Sequence, residues 1–357
     1  MSSPYSAERP SDPVASGPSE QRIAVVVNGN AKNATADVIS TLDQILNGGD
    51  LFVSRKLSDA RHIAKTLVAR GYGTVLTGGG DGTFTVMVTE VVHEARRSGK
   101  PYPRFGLLKL GTGNSLAWVV GAQGADKHEL QADIGRLVED AGSRSMRLIE
   151  VEGFIAPFCG LGADALVLAD YGKVKGALLK TPLRRVAPGP LSYVLATTTR
   201  SIPRFFGLKM PHCRVRNDGA EAYRLGPKGS VVGSPIPTGA TMYEGPMRIA
   251  ALSTIPYYGY GFRMFPYAEE RSDRMNLRIA TIGPLSFVRN FGEIWRGEYE
   301  NPEEVTDFLV DAVTIEVDPS TDFQIAGDPR GPRSSISALL SPTPIKLVDF
   351  YAPPNVT

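Results

Sequence analysis

Cysteine and histidine are scarce: the 357 residues contain two cysteines, Cys159 and Cys213, and four histidines. Two thiols cannot build a disulfide framework, and burial as small apolar residues is their default. His62, His93, His128 and His212 are scattered without metal-ligand spacing, so no zinc site is expected. A formal charge of +2 gives no basic field for a nucleic acid. No apolar run approaches the roughly 20 residues that cross a bilayer. The opening Met1-Ser-Ser-Pro-Tyr5 lacks a basic segment followed by an apolar one, so the expected location is cytoplasmic. No internal repeat is present, and nothing indicates an oligomeric state.

What the chain does have is apolar material: at 42% hydrophobic residues it can fill two cores. Residues 1–20, rich in Ser, Pro and Glu, read as a disordered tail. From Arg22 the pattern alternates. Arg22–Val27 reads as a strand, followed by a polar loop from Asn28. Val38, Ile39, Leu42, Ile45 and Leu46 recur at helical spacing, and Leu51–Val53 gives a second strand. Ser58 is placed to cap a helix burying Ala60, Ile63, Ala64, Leu67 and Val68 and ending at Gly71. Gly73–Thr77 is a third strand. Alternation of this kind predicts a parallel sheet with helices on its faces and a ligand at the carboxyl ends of the strands. We assign residues 21–150 to this α/β nucleotide-binding domain. Beyond Glu150 shorter apolar runs broken by Gly and Pro predict a β-rich second domain over 151–340, beginning at Phe154–Phe158 and including Arg278–Ile282 and Val313–Val317. Residues 341–357 are expected to return to the first domain.

Two glycine turns stand at strand ends. In Gly78-Gly79-Gly80-Asp81-Gly82-Thr83, glycines let backbone N–H groups approach a ligand, and the following helix offers its positive end to an anion. A carboxylate there would repel phosphate unless it engages a bridging magnesium, directly or through water, or accepts a proton from an attacking hydroxyl. The plain alternative is that Asp81 caps the helix beginning near Thr83. The second turn, Gly111-Thr112-Gly113-Asn114-Ser115, follows the strand Phe105–Leu110. Its Thr112 and Asn114 are suited to phosphate or ribose, or Asn114 or Ser115 is an ordinary helix cap. Neither turn is a Walker loop or a dinucleotide fingerprint.

The succession Asn28, Gly78–Thr83, Leu110–Asn114 and Gly160-Leu161-Gly162-Ala163-Asp164-Ala165 resembles the diacylglycerol kinase catalytic-domain family. That group includes bacterial lipid kinases and sphingosine kinases, with NAD kinases as distant relatives. The resemblance runs from about Arg22 to Phe350. It implies ATP-dependent phosphorylation of a lipid hydroxyl, with magnesium, in a cleft between an α/β domain and a mainly β domain. Carried over by position, the nucleotide-binding residues are Asn28, Gly79, Gly80, Asp81, Gly82, Thr83, Gly111, Thr112, Gly113 and Asn114.

The chain also departs from the family. Thr85 and Val86 stand where Asn-Glu is common, Ser115 stands for an aspartate, Lys109 for a proline and Gly29 for a proline. The family's C-terminal Asp-Gly-Glu, whose aspartate is a proposed general base, is Ala326-Gly327-Asp328 here, on a strand expected to end at Asp328. Asp328 is therefore the candidate substitute base, with a turn residue as its alternative. Asp164 is expected near the cleft or as a local cap. Asp273 falls where relatives sometimes hold a structural metal, but Arg274 replaces the usual glycine. Tyr171–Arg185 mixes cations and apolar residues as a peripheral contact with an inner membrane surface would, or as a solvated loop would. Ile255–Phe265 is either an acyl-chain pocket or a domain core. Three readings stand: a kinase for diacylglycerol or a related lipid alcohol such as a sphingoid base, a kinase for a soluble hydroxyl compound such as NAD, and a nucleotide-binding regulator.

Overall fold

The computed structural model describes residues 22–31, 33–45, 50–111, 113–124, 126–138, 142–163, 210–259 and 261–351. The tail over 1–20, Thr112, Asp164 and the 171–185 segment lie outside the described residues.

The first layer follows β1 (Ile23–Asn28), α1 (Ala36–Ile45), β2 (Leu51–Ser54), α2 (Leu57–Arg70), β3 (Thr74–Gly79), α3 (Asp81–Ser98), β4 (Arg104–Lys109), α4 (Ser115–Val120), α5 (Lys127–Val138) and β5 (Ser143–Met146). With the last strand these make a six-stranded sheet in the order β2-β1-β3-β4-β17-β5, parallel except where β5 runs antiparallel to β17 (Ile345–Val348). β3 is buried along its whole length, as a central strand covered on both faces requires. The chain leaves β1 outward to β2 and returns past β1 to β3, which makes the β1/β3 boundary the topological switch point where α/β sheets collect ligands. Asn28 ends one of these strands and Gly79 the other.

The second layer is antiparallel. It contains β6 (Ile149–Val151), β7 (Phe154–Ala156), β8 (Phe158–Gly162), β9 (His212–Asn217), β10 (Tyr223–Leu225), β11 (Thr241–Pro246), β12 (Ile249–Ser253), β13 (Met275–Ala280), α6 (Pro284–Arg289), α7 (Phe291–Arg296), β14 (Val305–Val310), β15 (Ala312–Ile325) and β16 (Asp328–Leu340). Among the described residues its eleven strands form one sheet. The long β15–β16 hairpin carries Asp328 toward the first layer. α3 joins the layers too, because the Thr89 hydroxyl accepts the Ile155 N–H at 2.8 Å. The expected architecture, a parallel α/β layer with a β-rich partner, is what the chain adopts.

Local expectations changed in four places. α2 begins one residue before Ser58, and the Asp59 carboxylate caps the turn by accepting the amides of Arg55 and Lys56 at 2.9 and 3.0 Å. An acid at the third helical position reaches back where a serine at the second cannot. The second sheet begins at Ile149, because β6 pairs with β16 on one side and with β7 on the other. β13 spans Met275–Ala280, set by its register with β12 and β14. The strand expected to end at Asp328 ends at Ile325. Ala326 and Gly327, at φ 50 and 84, form a two-residue turn that pairs Ile325 with Asp328, so Asp328 opens the next strand. Positive φ at both central positions matches the twist of a tight hairpin.

Candidate active site

The first glycine turn is shaped by close approach. A Cβ on Gly79 would overlap the Thr83 side chain, and a Cβ on Gly111 would overlap the backbone of Gly80. The two turns therefore touch main chain to main chain, joined by the Gly111 N–H to Gly79 carbonyl bond at 2.9 Å. Asn28 fixes the third side: its Nδ2 donates to Thr83 Oγ1 at 3.0 Å, while its Oδ1 accepts the Asn30 amide at 2.9 Å. The 18-residue helix α3 starts at this meeting point, and its first amides have no intrahelical acceptor. Those amides and the helix dipole suit an anionic phosphate.

Asp81 is the first residue of α3, two positions before the expected start, with Gly80 as N-cap. It does not cap its own helix. Its Oδ2 accepts the Ser115 amide at 2.8 Å and its Oδ1 the Leu116 amide at 3.0 Å. The carboxylate thus caps α4 and fastens the second glycine turn to the first. Asn114, at φ 50, supplies no side-chain cap; its Nδ2 donates to the Gly111 carbonyl at 2.9 Å and holds the turn closed. Burial pushes the Asp81 carboxyl up from its ordinary value, and the Ser115 and Leu116 amides pull it back. No sequence signal pairs position 81 with 115.

Asp328 arrives from the second layer. A Cβ on Gly82 would lie 2.5 Å from its Oδ2, so the absence of a side chain at Gly82 is what admits this carboxylate to the first turn. Asp328 remains open to solvent on one side. The protein packed around it nevertheless pushes its carboxyl up, the nearby Asp81 charge adds to the rise, and Arg330 opposes it. Two carboxylates and the N-terminus of α3 thus share one cleft. Gly113 reaches the second layer, where its Cα lies 3.6 Å from the point a Gly259 Cβ would occupy.

Thr85, at one of the departures from the family pattern, is buried on α3 with its Oγ1 unpaired. Removing an unpaired buried hydroxyl relieves a desolvation penalty. Thr85→Val is expected to raise unfolding stability by ~1 kcal/mol, measured by urea denaturation; a drop would show that the hydroxyl has a partner in solution.

Around the cleft, Lys109 ends β4 in register with Gly79, and its Nζ sits 4.9 Å above the ring of the half-exposed Trp118. The Ile255–Phe265 run divides. Ile255, Tyr258 and Phe265 are core, whereas Tyr257 faces Trp118 at 6.2 Å and Phe262 stacks on Trp295 at 5.3 Å. Asp273 is occupied by Arg271 and Arg274 rather than left for a metal. Among the described residues, no three acid, His or Cys side chains gather as a metal centre. No described helix is long and apolar enough to cross a membrane.

Glycine turns at a switch point thus face a carboxylate from a second sheet in a two-layer fold. Residues 22–149 match the family described as the diacylglycerol kinase catalytic domain. Comparison with curated proteins gives no match. Among solved structures, the chain is similar to a candidate diacylglycerol kinase from Bacillus anthracis str. Sterne, at 13% identity and TM-score 0.63, covering 92% of this chain and 97% of that one. It is also similar to a structure titled as a diacylglycerol kinase from the same organism, at 13% identity and TM-score 0.56, with the same coverage. These likenesses extend the shared fold across both layers.

Proposed function

We propose that the chain is an ATP-dependent lipid kinase that transfers the γ-phosphate to the hydroxyl of diacylglycerol or a related lipid alcohol. The observation that carries this reading is the seating of Asp328 on Gly82, beside the helix N-terminus where a phosphate would lie. Phosphoryl transfer requires two oxygens held in line and neutralisation of developing charge. The α3 amides and the Gly111–Asn114 turn hold the nucleotide phosphates; Asn28 and Thr83 fix the turn that presents them. Asp81 holds the second turn in register with the first. Asp328 accepts the acceptor hydroxyl proton as that oxygen attacks.

Asp328 and Asp81 lie close enough for their charges to interact. Asp81 is then the carboxylate that would hold magnesium, directly or through water, together with substrate phosphates, with Asp328 left free as the base. Bound there, it would supply charge neutralisation. Trp118 and Tyr257, beside the second turn, suit an apolar acceptor, and contact with a membrane surface follows from such a substrate.

The test is an acceptor panel with labelled ATP and magnesium: diacylglycerol and sphingoid bases in mixed micelles against NAD and other soluble alcohols. Label confined to a lipid supports the proposal; label only in a soluble product, or nucleotide binding with no transfer, overturns it. The pH profile gives a second check. A base must be ionised, and the Asp328 carboxyl is raised, so kcat/KM should climb with pH along an acid limb above the ordinary aspartate value of about 3.9. Asp328→Asn should remove that limb; an unchanged limb would assign it elsewhere.

A further inference from the structure

The described chain passes between its two sheets at Arg147–Leu148, leaving β5 for β6, and again between β16 and β17. A cavity of about 490 Å³ opens beside both crossings. Among the described residues its wall carries Arg144 from β5, Arg147 from the crossing, and Arg271 and Arg274 from the second layer, with Glu269 and Asp273 as the only carboxylates. Four guanidinium groups therefore face two acids. Arg144 bridges the layers through Glu269 at 3.1 Å. Asp273 is shared: Arg271 donates to both its oxygens at 3.0 and 2.8 Å, and Arg274 donates to its Oδ2 at 2.9 Å. Tyr223 backs the same pair, with Arg271 4.9 Å and Arg274 5.9 Å from its ring centroid. Arg147 is exposed and has no ion-pair partner among the described residues.

This electrostatic balance disfavours a cation, because both carboxylates are already engaged, Glu269 by Arg144 and Asp273 by Arg271 and Arg274. It favours an anion able to take several N–H donors at once, and planar guanidinium forks match phosphate oxygens well. The volume falls in the range of roughly 300–1,000 Å³ typical of small-ligand sites. It exceeds what inorganic phosphate alone would fill, leaving room for an organic group. We propose that this interdomain cavity is a second ligand site, separate from the glycine-turn cleft, that binds the phosphate group of a phosphomonoester and ties the two layers together. The ester is either a soluble metabolite or the headgroup of a phosphorylated lipid; the recognising chemistry is the same.

The test uses the full chain with a non-hydrolysable ATP analogue saturating the glycine turns, so that phosphate capture there does not confuse the result. Glycerol 3-phosphate is titrated calorimetrically, and vesicles of phosphatidylcholine with phosphatidic acid are compared with phosphatidylcholine alone. Arg147→Glu removes the unpaired cation, and Arg70→Glu on the remote end of α2 serves as the charge control. Wild type should bind at least one probe saturably, and Arg147→Glu should weaken that binding about tenfold or more while the control does not. Binding to glycerol 3-phosphate assigns a soluble ester, and binding only to phosphatidic acid assigns a lipid headgroup. No binding to either probe, or equal loss in both variants, overturns the proposal. None of these outcomes depends on transfer activity, so failure here is distinct from failure of the kinase reading.

Discussion

Asp81→Asn is expected to lower phosphoryl transfer by on the order of 10²-fold and to lower stability as well, because the side chain holds the second glycine turn in place. Asparagine offers one carbonyl oxygen where aspartate offers two. Either the Ser115 or the Leu116 amide would then face an NH₂ group, two donors in a buried site. Leaving a buried donor unsatisfied costs about 1–3 kcal/mol. The variant should therefore unfold at lower urea concentration, with nucleotide affinity and turnover both reduced. A residue that only took a proton or bound a metal would lose turnover while α4 stayed capped. Unchanged stability with full loss of transfer would show that the amides are not held as described.

Gly111→Ala should be more disruptive to the fold of the site. The added methyl would overlap the Gly80 backbone, and a main chain cannot swing aside as a side-chain tip can. Overpacking of this kind costs roughly 1–3 kcal/mol, and two backbone segments in contact place it toward the upper end. Separating them would break the Gly111 N–H to Gly79 carbonyl bond and spread both glycine turns. Calorimetry should detect no ATP analogue binding by this variant at concentrations that saturate wild type. Gly71→Ala, on a left-handed helix cap with open space around it, provides the comparison: its strain is local and nucleotide affinity should be kept. Normal nucleotide affinity in Gly111→Ala would contradict the proposed packing of the turns.

Much of the first layer was legible because its signals are local. Helical spacing in Ala60–Val68, apolar strands and glycines at strand ends need no knowledge of distant residues. The Asp81 clamp was not legible, since nothing in Gly-Asp-Gly distinguishes a carboxylate turned toward phosphate from one turned toward amides 34 and 35 positions away. Asp328 was half legible. Resemblance marked its neighbourhood, but direct alignment put Ala326 in the base's place and treated Asp328 as a strand end. Only the hairpin geometry, with Ala326 and Gly327 spent on the turn, shows why the next residue meets Gly82. Asp273 shows the opposite case: its carboxylate is paired with Arg271 and Arg274, while the arginine-lined cavity beside it left no contiguous motif.

The central claim is that the carboxylate from the second layer completes the kinase site of the first. It is tested most directly by measuring kcat for labelled phosphate transfer to diacylglycerol, together with ATP affinity, in wild type and Asp328→Asn. The predicted result is a fall in kcat of on the order of 10²-fold, in line with loss of general base catalysis, with ATP affinity kept. Equal kcat in the two proteins would contradict it.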